Sequence, residues 1–572
     1  MFRRYYQEEL SYLRELGQEF AQAHPALAPM LSGPGSDPDV ERLLEGVAFL
    51  TALLRQKLDD EFPEIIHTLI NILWPHYLRP IPCCSIVSFS PKPTLKQSQF
   101  ISAGIYLAAT PIEETSCIFK TCYPVEIHPI ELLEVSVEQP AGNPPAIRLF
   151  LKLNGINLSK WQPNSLRFYL GGDFGQAADL YLLLRKHLEC IILKTKNSQF
   201  ELTPDFLKPV GFNENIIPYP SQAFPGYRIL QEYFVLPEKF LFLEITGWER
   251  WKREDSEEFE IIFQLKNPPF LPSRVTTQNF VLFATPVINL FPYEADPIRV
   301  EHKKSEYLIR PFGNQPEHYQ VYSIEKVIGL IQGTAEEREY VPFDTFIFEE
   351  KNKPVYQTIN KISFTADRLD TYITLIYPPE TEIPVSETLS IKIICTNGFL
   401  PERLQIGDIS LPTSSSPEFA TFKNIRPPTA YILPPLKTDL PWRLLSHLSL
   451  NYISLASLDA LKGLLELYIF PESHDRTMVL ANQKRIDGIE SIKVIPSNRL
   501  INGLPIRGQE ITIQLREDHF ASAGDVFLFG CILDYFLGNY ATINTYTKLT
   551  IQELLKGTIY QWKERIGDRP LI

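Results

Sequence analysis

The chain has 572 residues, enough for roughly three to five domains of ordinary size, and its 44% hydrophobic and 22% charged content is that of a protein able to bury several cores. A net charge of -13, with basic runs no longer than Arg3-Arg4 and His302-Lys303-Lys304, argues against DNA or RNA as a partner, because phosphate binding needs clustered Lys and Arg. No apolar stretch approaches the roughly 18 to 20 residues that cross a bilayer, and seven cysteines without regular spacing make no disulfide framework, so a reducing cytoplasmic setting without membrane insertion is expected.

From about Phe2 to Ala23 the residues Tyr6, Leu10, Leu13, Leu16 and Phe20 recur at steps of three or four, which stacks them on one face of a helix that His24-Pro25 stops. Asp37-Pro38-Asp39 then reads as an N-cap, a proline at the first helical position and a first-turn acid. The helix it opens carries Val40, Leu43, Leu44, Val47, Phe49, Leu50, Leu53, Leu54 and Leu58, a band too wide for a single core-facing stripe. A third pattern runs from Glu61-Phe62-Pro63 to Trp74-Pro75. Such helices need neighbours on two sides. They form either a self-contained three-helix domain or a bundle shared between chains, and the candidates for a shared interface are Tyr6, Leu10, Leu13, Phe20, Leu43, Phe49, Leu50, Leu53 and Trp74.

After Pro80-Ile81-Pro82 the pattern changes to short alternating runs broken by proline and glycine, the signature of antiparallel sheet. Ser85 to Phe89, Lys239 to Ile245, Phe259 to Leu265 and Thr512 to Leu515 are the clearest strands. Breaks near Leu290-Phe291-Pro292 and between Arg426 and Pro435 divide the chain into a helical segment 1–82, a β-rich domain 83–289, a β-rich middle domain 290–436 and a mixed α/β region 437–572. In the last, Leu444, Leu445, Leu448, Leu455, Leu458, Leu461 and Leu464-Leu465 recur at helical steps, and Phe527, Phe529, Phe536 and Tyr540 are expected in a core. The fold class is α+β.

The motifs of nucleotide, metal and hydrolase sites are missing. Cys83-Cys84 with Cys117 and Cys122 lacks the paired spacing of a zinc site and reads as buried thiols, Asp59-Asp60-Glu61 as solvated helix-end acids, and His67 and His76 as unconnected imidazoles. Gly171-Gly172-Asp173 after a strand reads as a tight turn rather than a phosphate loop. No catalytic, metal or cofactor residue is expected. A β-rich hydrolase and a binding module stay open as alternatives.

Tyr5-Tyr6-Gln7-Glu8-Glu9-Leu10-Ser11-Tyr12-Leu13-Arg14-Glu15-Leu16-Gly17, His24-Pro25-Ala26-Leu27-Ala28, Asp37 to Glu45 and Leu58-Asp59-Asp60-Glu61-Phe62-Pro63-Glu64 together resemble the opening of the TssF family, also called VasA or ImpG. The likeness continues through Leu78 to Pro82, Phe119 to Tyr123, Ala295 to Ile298, Trp442 to Tyr452, and Phe527 to Gly530 with Ile543-Asn544, in order along most of the chain. It departs at Glu301, where the family suggests an aspartate, and between Ala141 and Pro272, where only Leu166 to Gly172 is recognisable. The resemblance implies a noncatalytic baseplate subunit of the bacterial type VI secretion system. It further implies that two TssF copies join one TssG as the core of a wedge, that TssK and TssE attach, and that wedges surround the VgrG spike at the cytoplasmic side of the inner membrane. An architecture similar to the wedge proteins of contractile phage tails is implied as well.

Overall fold

The computed structural model describes residues 6–7, 9–14, 16, 38–39, 41–53, 70, 74, 76–139, 144–219, 223–272, 274–313, 315–331, 337–343, 354–363, 368–377, 386–436, 457–471, 473–501 and 503–567. The chain divides into two compact units, residues 1–78 with 436–442, and residues 79–435 with 443–572.

In the first unit, helix α1 (9–14) and helix α2 (41–53) follow the periodicity expected of them. Phe20, Leu54, Asp59-Asp60-Glu61 and His67 lie outside the described residues, as do Leu444 to Leu455 of the chain's later helical pattern.

The second unit is built mainly from sheets. A six-stranded sheet has the order Ile409–Leu411, Tyr106–Ala109, Ile118–Thr121, Ala284–Ile288, Cys84–Pro91, Ala420–Asn424, so residues more than three hundred positions apart share it. A five-stranded sheet (Gln199–Leu202, Leu188–Lys194, Glu258–Leu265, Ala146–Leu153, Ile130–Glu138) faces a four-stranded one (Leu207–Val210, Phe242–Ile245, Leu166–Leu170, Phe280–Leu282). Alternation drives this packing: Glu258–Leu265 buries every second residue, and its Phe263 meets Phe168 and Phe280 of the opposite sheet at 5.9 and 6.2 Å between ring centroids. An eight-stranded sheet from Phe291 to Thr396 has its own core around Val327, Ile373, Leu389, Ile391 and Ile393.

Helix α3 (Phe174–Lys186) starts directly after the strand Leu166–Leu170. Gly172 has φ +95, and the Asp173 carboxylate accepts from Gly175 N at 3.0 Å. Gly171-Gly172-Asp173 is therefore a strand-to-helix turn whose anion position is filled by the chain's own cap. Helix α4 (Pro225–Val235) leads into a 3₁₀ turn at Pro237–Phe240, and the strand expected from Lys239 begins only at Phe242. Pro237 favours that turn, and Lys239 is drawn inward to pair with buried Glu232.

The C-terminal sheet places Ile489–Ile501 beside Leu504–Leu515 in a long hairpin, and Leu504–Leu515 lies parallel to Thr545–Glu553. The parallel pair requires a crossover, supplied by helix α7 (Ala523–Gly538) after α5 (Leu458–Glu466) and α6 (Arg476–Asp487). Helix α7 is buried on nearly every side, with Phe527, Phe529, Phe536 and Tyr540 all inside as expected. Its N-terminus crosses α3 where Gly524 replaces a side chain: a Cβ there would stand 2.1 Å from the Ala178 carbonyl carbon. Gly524 N donates to Asp179 at 2.8 Å, which satisfies an orphan N–H at the start of α7, and Ser522 Oγ donates to the Gly175 carbonyl at 3.1 Å, which adds a second bond across the crossing.

Candidate docking surface

Helix α2 inverts the usual distribution of sizes. Ala48 and Ala52, one turn apart, are fully buried, while Leu43, Val47, Phe49, Leu50 and Leu53 are 69, 45, 47, 62 and 44% exposed. Alanine on the covered side lets helices approach closely, and Leu43, Val47, Leu50 and Leu53 keep much of their surface in water while Leu44 is half-buried. Leu43, Val47 and Leu50 follow the spacing of four and three that forms a seam for a facing helix. Tyr12 and Leu16, 58 and 40% exposed, extend apolar surface to the first helical segment.

Local chemistry fixes the helix rather than the seam. Arg42 pairs with Asp39 across one turn at 3.7 Å, Arg14 donates to Glu41 at 2.5 Å and so joins α1 to α2, and Thr51 Oγ1 returns a hydrogen bond to the Val47 carbonyl at 2.9 Å. Tyr6, Leu10 and Leu13 are half-buried, and Trp74 is buried at 7% exposure. Trp74 thus belongs to covered structure in this chain, whereas Leu43, Leu50 and Leu53 are exposed and Phe49 keeps about half of its surface exposed. Sequence periodicity could not separate these groups, because it locates an apolar band without showing which part of it the chain covers.

The remaining polar groups have structural surroundings. Cys83, Cys84 and Cys117 are buried, and desolvation pushes their thiols up, Cys117 to about 12, which removes the thiolate a metal or nucleophilic site needs. Among the described residues no group of three or more His, Cys, Asp or Glu side chains is placed to hold a metal. A cleft of about 760 Å³ between the edge strands Ile130–Glu138 and Phe280–Leu282 is lined by no histidine or cysteine. No Ser–His or Cys–His pair is therefore assembled there.

The family model for the type VI secretion system protein TssF matches residues 1–569. The chain is 31% identical over 626 aligned residues to the type VI secretion system component TssF1 of Pseudomonas aeruginosa, covering 99% of this chain and 98% of that protein. The chain belongs to the TssF family. Members are structural components of the type VI baseplate, not enzymes. Among solved structures, one chain of a TssK-TssF-TssG baseplate subcomplex determined by cryo-electron microscopy is similar at a TM-score of 0.79 and 30% identity, over 93% of this chain and 99% of that one. A chain from a type VI baseplate complex gives 0.62 and 28%, over the full length of both. The family resemblance read from the N-terminal and C-terminal motifs is thereby established, and the α+β fold class holds.

Proposed function

We propose that this protein scaffolds the baseplate wedge, two copies joining one TssG through the N-terminal helices, with TssK and TssE attached and the wedges set around VgrG. The observation that carries this reading is the reversed burial of α2, with alanines covered and large apolar residues exposed. Covering Leu43, Val47, Phe49, Leu50 and Leu53 contributes on the order of 5 kcal/mol, since each is already about half covered. That is less than the roughly 11 to 12 kcal/mol of a nanomolar complex. The seam therefore needs partner helices and the Tyr12 and Leu16 surface beside it, as in a bundle shared among three chains.

Similarity to a chain from a TssK-TssF-TssG subcomplex supports the identity of the first partners. No helix among the described residues is long and apolar enough to cross a membrane, so attachment at the inner membrane's cytoplasmic side is assigned to the other components of the apparatus. The test is co-purification of tagged TssG with this chain and with Leu50→Asp or Leu43→Asp. Both substitutions are expected to abolish recovery while the free chain stays folded. Full recovery of both variants would refute the seam.

A further inference from the structure

The C-terminal hairpin reaches past its own sheet. Thr545–Glu553 covers Leu504–Leu515 only from Arg507 onward, so the rungs Arg499–Ile506, Leu500–Pro505 and Ile501–Leu504 project beyond it, about 10 Å at the usual strand rise. Leu500, at 78%, is the most exposed large apolar side chain among the described residues, and Ile495 is 46% exposed. Between Lys493 and Gly508 this arm has three cations, Lys493, Arg499 and Arg507, and no acid, in a chain of net charge -13. Arg499 is held by Glu510 and Glu564, each at 2.7 Å, while Lys493 and Arg507 are exposed and form no ion pair among the described residues.

The complementary features lie elsewhere on the same unit. The edge strand Ile130–Glu138 exposes Glu131, Leu133 and Glu134, and neither carboxylate is ion-paired among the described residues. Beside it is the cleft of about 760 Å³, lined by Ile130, Leu132, Phe280 and Leu282 and by the carboxylates Glu131 and Glu257. The two lysines of that lining, Lys92 donating to the Glu418 carbonyl at 2.7 Å and Lys152 opposite Glu131 in register, equal its two carboxylates in number, so the acid in excess is the exposed Glu134 on the adjoining edge strand.

We infer that the arm of one copy docks on the Ile130–Glu138 edge and cleft of a second copy, with Leu500 in the cleft and Lys493 and Arg507 over the carboxylates. The contact is made by side chains rather than by strand addition. Pro496 removes a ladder donor from the arm's outer strand, and a bulge between Leu132 and Glu134 disrupts the receiving edge. Arm and cleft are different surfaces, so copies close as a two-fold pair where each arm reaches the other's cleft and otherwise continue as a ring or an open series. Only residues of the second unit take part, so this inference does not rest on the α2 seam.

Sedimentation velocity of the full chain tests it, in buffers of about 0.05 and 0.3 M salt, conditions that separate screened from unscreened charge contacts. The wild type is expected to self-associate with concentration, at least about tenfold more weakly at the higher salt. Lys493→Glu/Arg507→Glu and Glu131→Lys/Glu134→Lys should each sediment as the monomer, and an equimolar mixture of the two should associate again because the charges are reversed on both sides. Unchanged association of either variant, a mixture that stays monomeric, or a wild-type chain that never associates would overturn the inference. Association lost in Leu50→Asp but kept in both charge variants would assign self-contact to α2 and overturn it too.

Discussion

His128 lies fully buried with Nδ1 2.8 Å from Ser98 Oγ and Nε2 3.2 Å from the Ser165 carbonyl, edge-on to Trp161. The carbonyl requires Nε2 to donate, and the Ser98 hydroxyl is able to donate to Nδ1, so both contacts are satisfied by the neutral ring. Burial lowers its pKa from 6.5 to about 4. A depressed folded pKa means that this group's stabilisation is complete above pH 6.5 and is lost as pH falls through 4, in total about 3 kcal/mol. Urea unfolding followed by tryptophan fluorescence should show that acid loss in the wild type and a smaller one in His128→Gln. Lys239 and Glu232 form a second buried polar site, in which Glu232 also accepts from the backbone of Ile216 and Ile217 at 2.7 and 3.0 Å. Lys239→Met leaves that carboxylate uncompensated and should cost about 3 to 5 kcal/mol in the same unfolding measurement. Neither site was legible in sequence. Lys239 occupies what reads as a polar position in an alternating strand, and its partner is a glutamate on a helix, a pairing without a local signal.

At the scale of elements, helices α1 and α2 and strands such as Ser85 to Phe89 and Phe259 to Leu265 were readable because their periods are local. The division of α2 between covered and open faces was not, since Ala48 and Leu50 both fit a helical band. That division gives a contrast that stability measurements can check: Leu50→Asp should change the free chain's stability by no more than about 0.5 kcal/mol, as expected for an exposed site. Ala48→Leu, on the covered face, should cost about 1 to 3 kcal/mol through overpacking. Helix α7 shows the opposite limit. Its run from Phe527 to Phe536 lacks amphipathic spacing because strands and helices surround it, and the close crossing at Gly524 has no motif. Gly524→Val is expected to destabilise the chain by at least about 2 kcal/mol, measurable as a lowered denaturant midpoint, because the Ala178 backbone has nowhere to retreat.

The whole molecule depends on contacts that no window of sequence contains. Cys84–Pro91 pairs with Ala284–Ile288 on one side and Ala420–Asn424 on the other, so strands from opposite sides of the break near Leu290 share a sheet. Composition and periodicity supplied the fold class, while the strand order came from long-range registers that a single sequence does not encode locally. Family membership was legible for another reason: several short motifs, spread in order from Tyr5 to Asn544, are jointly specific even though each is common. The proposed scaffold role then rests on large apolar side chains exposed on α2. The most direct test is co-expression of the full chain with TssG, followed by size-exclusion chromatography with light scattering. A stable complex with the mass of two copies of this chain and one TssG, absent for Leu50→Asp, is the predicted result; a lone monomer that ignores TssG, or a complex that forms equally well with Leu50→Asp, would contradict it.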